Sequence, residues 1–200
     1  MQAAREHAAL LDLIRWIDEH TAGLSFETGD RNMLAVGCFD VAIEHQAAIA
    51  LLHSSGLYGS AFALLRVLAE ALVRGLWLLH SASEAELQKF KRGKVDKTFD
   101  ELVKEVEKVI GDSQAVLSGF KKSAWACLNG FTHTGFHQIS RRHKPGRVEA
   151  NFIDEDLAKA LGVAGALGMI AAGQLAGLSD KKELVSKFLE RMDAYAKPAP

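Results

Sequence analysis

The stretch YGSAFALLRVLAEALVRGLWLLH, residues 58–80, is apolar on almost every side when it is drawn as an α-helix. A helix of that composition is stable only where neighbouring elements cover it all round. The stretch therefore predicts the central helix of a helical bundle. Its charged members are Arg66, Glu70 and Arg74, which are spaced four residues apart.

Apolar residues recur at helical spacing on both sides of this stretch, and no segment alternates as a β-strand does. Ser83 and Glu86 have the spacing of a capping box, which begins a short helix, and Asp154 can cap the helix that follows it. Longer helices are predicted over about residues 3–20, 30–53, 96–110, 114–139, 154–178 and up to 195. We expect an all-α, up-and-down helical bundle of four to five long core helices with short accessory helices.

The chain of 200 residues is predicted to be one helical domain, because no linker divides it. The core bundle is expected over about residues 30–178, with terminal helices that pack on it or form a dimer. The net charge of −1 gives no overall attraction to nucleic acid or membrane. Cys38 and Cys127 lie in apolar stretches and form no CxxC pair, and the charged N-terminal helix is unlike a signal peptide. We therefore expect a cytoplasmic protein.

One segment has the length of a membrane span. Residues 160–178 carry no charge, but they are rich in Ala and Gly and include Gln174. Gly162, Gly165 and Gly168 form a smooth stripe that another helix can approach closely. The segment predicts a buried packing or dimer helix, and no membrane is expected as a partner.

Arg66, Glu70 and Arg74 share one face of the central helix because four-residue spacing stacks side chains. Charges inside a bundle need partners, since each one costs several kcal/mol when it is buried alone. Two interpretations remain open. The three residues form an internal Arg–Glu–Arg ion network, or they form the wall of a pocket that binds an anion or orients a catalytic group.

A second polar group lies in NGFTHTGFHQ, residues 129–138. His133 and His137 stand four apart, so a continuous helix, kinked at most near Gly130 or Gly135, would present both imidazoles together. That geometry suits a metal ion or a general base with a partner. A third metal ligand would have to be Glu70, Glu44 or Asp40, and the paired Glu-x-x-His motifs of carboxylate-bridged bundles are absent. A metal-binding bundle is therefore the weaker alternative, and no metal or cofactor is predicted.

The chain also contains a basic region. No acidic residue occurs from residue 113 to residue 148, which suits a phosphate-bearing ligand such as a nucleotide or RNA. Its six cationic residues are Lys121, Lys122, Arg141, Arg142, Lys144 and Arg147. The alternative is a solvated loop whose charge is balanced by the acidic segment 96–107.

Three segments carry a resemblance to known proteins: LRVLAEALVRGLW (65–77), NGFTHTG (129–135) and QISRR (138–142). They resemble an uncharacterised family of bacterial helical proteins over about residues 40–178. That family is similar, more distantly, to the HEPN superfamily of helical bundles. The superfamily resemblance implies a dimer that cuts RNA without a metal, using an arginine, a polar residue and a histidine from both subunits. It also implies a place in toxin–antitoxin or phage-defence systems.

On that resemblance His133 stands for the catalytic histidine and Asn129 for the polar position. The arginine expected just before Asn129 is missing, because residues 124–128 read AWACL. Arg66 or Arg74 from the adjacent helix, or Arg141 from beyond the histidine, would have to supply the charge. Without such a replacement the bundle would be non-catalytic.

The leading hypothesis is a HEPN-like homodimer that binds or cleaves RNA or a nucleotide, with an antitoxin or defence protein as a further partner. Its candidate residues fall into a catalytic group and a ligand-binding group. The catalytic candidates are His133, Asn129, Arg66, Glu70 and Arg141. The ligand-binding candidates are Arg74, His137, Gln138 and Arg142. The alternative is a non-catalytic dimeric interaction or scaffold protein with a structural Arg–Glu–His network.

Overall fold

A computed structural model describes residues 1–94, 96–111 and 115–196 of the chain. Within them the helices are α1 (Gln2–Thr21), α2 (Asp30–Ser54), α3 (Tyr58–His80), α4 (Glu84–Lys91), α5 (Phe99–Ile110), α6 (Val116–Thr132), α7 (Phe136–Ser140), α8 (Asp154–Leu178) and α9 (Leu184–Ala196). A short antiparallel hairpin, β1 (His143–Lys144) and β2 (Arg147–Val148), follows α7. The predicted all-α fold is confirmed. The predicted start, at Gln114, of the helix over residues 114–139 lies outside the described residues.

Helix α3 lies at the centre of the bundle, with α2, α5, α6 and α8 packed around it. Leu68, Leu72 and Leu78 of α3 are fully buried, as the all-round apolar pattern predicts. At Gly75 the helix touches α2 so closely that an added Cβ would lie 2.6 Å from Cε1 of the buried Phe39. A glycine at this position lets the two helix backbones approach.

The terminal helices are part of the packed structure. Leu10, Leu13 and Ile17 of α1 are fully buried, and α1 packs along α8. The prediction that Asp154 caps α8 is wrong, because Ile153 occupies the N-cap of α8 and no side chain caps that helix. The Asp154 carboxylate instead accepts hydrogen bonds from the backbone N–H groups of Gln2 (2.8 Å) and Ala3 (3.4 Å). It thus caps the first turn of α1.

The glycine stripe of α8 is occupied from within the same chain. Tyr195 of α9 packs on Gly165, and Gln46 of α2 packs on Gly168. Burial raises the pKa of the Tyr195 hydroxyl to about 12.

Among the described helices, α2 and α8 are long and apolar enough to cross a membrane. This is weak evidence, compatible with a soluble protein, since more than half of the apolar part of α8 is buried against other helices.

Two capping boxes determine where helices α4 and α5 begin. The capping box of Ser83 and Glu86 at the start of α4 is confirmed. A second capping box, Thr98 with Glu101, begins α5 at Phe99 and not at residue 96. This second signal was present in the sequence but was not predicted.

The continuous helix predicted through residues 129–139 is wrong. Helix α6 ends at Thr132, and Thr134 adopts a left-handed backbone conformation with φ of 54°. The chain then folds back so that a Cβ on Gly135 would lie only 3.1 Å from the Gly130 Cα. Two glycines permit this contact, which directs α7 away from the axis of α6. His133 and His137 therefore do not lie on successive turns of one helix.

Candidate functional site

Arg66 connects helices α3 and α6 through both of its terminal nitrogens. Its Nη2 lies 2.8 Å from Oε1 of Glu70, one turn along α3. Its Nη1 lies 3.0 Å from Nε2 of His133, the residue that ends α6. Residues that are 67 positions apart in sequence thus form one contiguous polar cluster, Glu70–Arg66–His133.

The Arg66–His133 hydrogen bond fixes the tautomer of the histidine. An arginine guanidinium only donates, so Nε2 of His133 must accept and the imidazole carries its proton on Nδ1. His133 is exposed, whereas the side chains of Arg66 and Glu70 are only 20% and 24% exposed. A neutral imidazole with its lone pair held by a cation, at an opening to solvent, can act as a base once the cation is drawn away.

An aromatic platform lies beneath Arg66. The guanidinium carbon is 5.2 Å from the ring centre of Trp125 on α6. The Trp125 ring in turn stacks on Phe99 of α5, with ring centres 3.7 Å apart and planes 5° from parallel. The stack gives the Arg66 guanidinium an aromatic face to pack against. Trp125 was not predicted as a site residue, although its position eight residues before His133 places both on one face of α6.

Asn129 lies on that same face, midway between Trp125 and His133. Its Oδ1 is buried and has no hydrogen-bond partner in the part of the chain that the structure describes. The same holds for Nε of Arg66. Buried polar atoms without partners are rare in folded proteins. A donor and an acceptor of this kind thus lie on the two elements that hold His133, and five further atoms of this kind lie elsewhere in the described chain.

Arg74 does not join the cluster. Glu70 pairs with Arg66, and among the described residues no carboxylate lies within ion-pair distance of Arg74. Arg74 instead lies near Cys38, where its charge partly offsets the effect of burial, which raises the pKa of that thiol. The internal Arg–Glu–Arg network considered above is therefore reduced to a single Arg66–Glu70 pair.

Arg141 and His137 lie in a separate cavity between α3, α6 and α8. Arg141 Nη2 donates to the Asp156 carboxylate at 2.8 Å and does not take part in the Arg66 cluster. Of the three arginines considered as replacements for the missing one, Arg66 alone contacts His133 within the described chain.

A protein-family model, the family of unknown function DUF6988, matches residues 39–200. The chain belongs to this family. The expected membership of an uncharacterised family is confirmed, and the matched region of the DUF6988 family contains Arg66, Glu70 and His133. No curated protein and no solved structure matches the chain.

The remaining ligand-binding candidates of this DUF6988 chain, Gln138 and Arg142, lie near the start of α3. Gln138 and Arg142 approach the first turn of α3, where a Cβ on Gly59 would lie 3.4 Å from the Gln138 amide nitrogen and 3.5 Å from Arg142 Nη2. Within residues 1–94, 96–111 and 115–196, no three His, Cys, Asp or Glu side chains are close enough together to hold a metal ion. Asp40 and Glu44 are exposed on α2.

Half of the basic region is neutralised by acidic residues outside it. Lys121 pairs with Asp100, Arg141 with Asp156 and Lys144 with Glu149. The other three cations, counted over the described residues, form no ion pair and are exposed; these are Lys122, Arg142 and Arg147. The acidic segment 96–107 thus balances one lysine, and a net positive surface remains around α7 and the hairpin.

Proposed function

We propose that this chain is a HEPN-like, metal-independent ribonuclease whose catalytic centre is the Glu70–Arg66–His133 cluster. One observation carries the proposal: Arg66 Nη1 donates to His133 Nε2 at 3.0 Å. This contact supplies, from α3, the arginine that is absent just before Asn129. The pair combines a general base with a cation suited to a phosphate, which are the two groups that RNA cleavage without a metal requires.

The chemistry follows from the two hydrogen bonds of Arg66. An RNA phosphate draws Nη1 of Arg66 to its oxygens, while Glu70 still holds Nη2. His133 Nε2 is then free to take the proton of the ribose 2′-hydroxyl. The 2′-oxygen bonds to phosphorus, the bond from phosphorus to the 5′-oxygen breaks, and the leaving oxygen takes a proton from water. The products are a 2′,3′-cyclic phosphate and a 5′-hydroxyl end.

The surface beside His133 supports RNA as the substrate. Phe136, three residues further on, is 82% exposed and offers a face on which a base can stack. The unpaired cations Arg142, in the turn after α7, and Arg147, in the hairpin, follow and can contact phosphates. Phe136 was not predicted, because exposure of an aromatic side chain cannot be read from its neighbours in sequence.

The same proposal includes a homodimer in the cytoplasm that acts in a toxin–antitoxin or phage-defence system. On the outer side of α2, Met33, Val41 and Leu51 are 50%, 41% and 68% exposed, and the exposed carboxylates of Asp40 and Glu44 lie among them.

The direct test uses labelled single-stranded RNA, with and without excess EDTA, and a DNA strand of the same sequence. We expect cleavage of the RNA that EDTA does not inhibit, with 5′-hydroxyl products, and no cleavage of the DNA because it lacks the attacking 2′-hydroxyl. Intact RNA under every condition, or cleavage that requires an added metal ion, would contradict the proposed function.

A non-catalytic scaffold is the second candidate, because the mostly buried Glu70 holds Arg66, which in turn connects α3 to α6 through His133. Glu70→Ala is expected to lower the free energy of unfolding by about 1–2 kcal/mol, less than the loss of a fully buried partner, since both side chains retain some exposure. Glu70→Gln keeps a hydrogen-bond acceptor and should lose less. Urea unfolding measures both, with the exposed Glu44→Ala as control. An unchanged stability of Glu70→Ala would remove the scaffold role.

A further inference from the structure

A cavity lies between α3, α6 and α8, and no single motif of the sequence predicts it, because all three helices contribute to its wall. Its volume is about 400 Å³, within the range of sites that bind small molecules. The deep wall is apolar: Leu65, Leu128 and Phe131 line it and are at most 4% exposed. Phe62 and Phe152 stack beside Phe131 and complete an aromatic side.

The mouth of this cavity is charged, in contrast to its wall. Arg141, Asp156 and Lys159 are the charged lining residues, with side chains 33%, 36% and 66% exposed. Counted over the lining residues alone, two cations and one carboxylate leave an excess of one positive charge, because Glu155, which pairs with Lys159, is not part of the lining. One extra positive charge at the rim of an apolar cavity matches a ligand with an apolar body and one negative charge.

Arg141 has hydrogen-bonding capacity to spare. A guanidinium has five N–H donors. In the described structure only Nη2 of Arg141 is used, in its 2.8 Å hydrogen bond to Asp156. Among the described residues, Lys159 pairs with Glu155 alone, one turn away on the helix surface, at 2.6 Å. An exposed pair of this kind is weak, so the lysine can turn to a ligand at little cost.

We infer that this cavity is a binding site for a small amphipathic carboxylate, with the apolar body among Leu65, Leu128 and Phe131 and the carboxylate between Arg141 and Lys159. A planar carboxylate matches the fork of an arginine. A phosphate dianion would bring a second negative charge next to Asp156, and a neutral ligand could not form charge-assisted hydrogen bonds with Arg141 and Lys159. The site is independent of the Arg66–His133 cluster and would exist even if the chain cuts no RNA.

The probe is 2-naphthoate, with 2-naphthylmethanol and 2-naphthylmethylammonium as matched neutral and cationic ligands. Isothermal titration calorimetry should give a dissociation constant on the order of 10–100 µM for the carboxylate, as good small ligands reach. The alcohol should bind at least about tenfold more weakly, a difference typical of one charge-assisted hydrogen bond. The ammonium should show no binding.

Two variants locate the site. Ala160→Phe fills the cavity from α8 and should abolish binding of 2-naphthoate. Lys159→Gln, a surface change that should not disturb folding, should weaken it several-fold. Lys108→Gln, an exposed lysine on α5 away from the cavity, is the control and should bind like the parent chain.

Cys127, which lines the cavity, gives an independent readout. In a Cys38→Ser background, 2-naphthoate should slow the reaction of Cys127 with a thiol reagent. Absence of binding, equal affinity for the alcohol and the carboxylate, or binding that Ala160→Phe leaves unchanged would each overturn the inference. None of these results depends on RNA cleavage, so failure here is distinguishable from failure of the proposed function.

Discussion

His133→Ala is expected to lower the rate of RNA cleavage by about 10²–10⁴-fold, the usual contribution of a general base. The imidazole is the exposed end of the cluster, and its Nε2 is the basic atom that Arg66 contacts. Without it, the 2′-hydroxyl has no acceptor for its proton at the position where Arg66 binds the phosphate. Initial rates on a fluorescent RNA, measured with EDTA present, provide the test.

The matched control is His80→Ala, an exposed histidine at the end of α3 that should keep full activity. Both variants should remain folded in the assay: His80→Ala replaces an exposed side chain and changes stability by no more than about 0.5 kcal/mol, and His133→Ala loses one hydrogen bond, worth about 1 kcal/mol. If His133→Ala still cleaves RNA at the parent rate, His133 is not the base, and the Arg66–His133 contact is a structural hydrogen bond.

The fold was predictable because its signals are local. Residues 58–80, whose apolar composition predicts a buried helix, form α3, and the pair Ser83–Glu86 forms the expected capping box. The break after Thr132 was not predicted. It depends on a close contact between the backbones at Gly130 and Gly135, which is a three-dimensional relation that helical periodicity does not contain.

The site was predictable only in part, for the same reason. Spacing alone places Arg66 and Glu70 together on one helix face, and they do form a pair. Spacing within a helix cannot state which helix lies opposite, so it could not choose among Arg66, Arg74 and Arg141 as the partner of His133. The cavity with Arg141 was missed entirely, because three helices distant in sequence contribute its lining.

Gly168→Ala is expected to lower the free energy of unfolding by about 2–4 kcal/mol. A Cβ at this position of α8 would overlap the side-chain amide of Gln46, which is fully buried. Forcing a methyl group into a packed core costs about 1–3 kcal/mol. Displacing Gln46 would also break its hydrogen bonds from Nε2 to the carbonyls of Ala164 (3.2 Å) and Gly165 (3.3 Å). Thermal unfolding should show a fall of about 5–15 °C.

Gly173→Ala on the same helix is the control, because an added Cβ there meets no atom within 4 Å. It should stabilise the protein by up to about 1 kcal/mol, since alanine favours a helix over glycine. The double variant Gly168→Ala/Gln46→Ala tests the cause, because shortening Gln46 removes the atoms that the new methyl group would meet. It should be more stable than Gly168→Ala alone. If Gly168→Ala and Gly173→Ala behave alike, α2 and α8 are not in close contact at Gln46, and the glycine stripe is free for a second subunit.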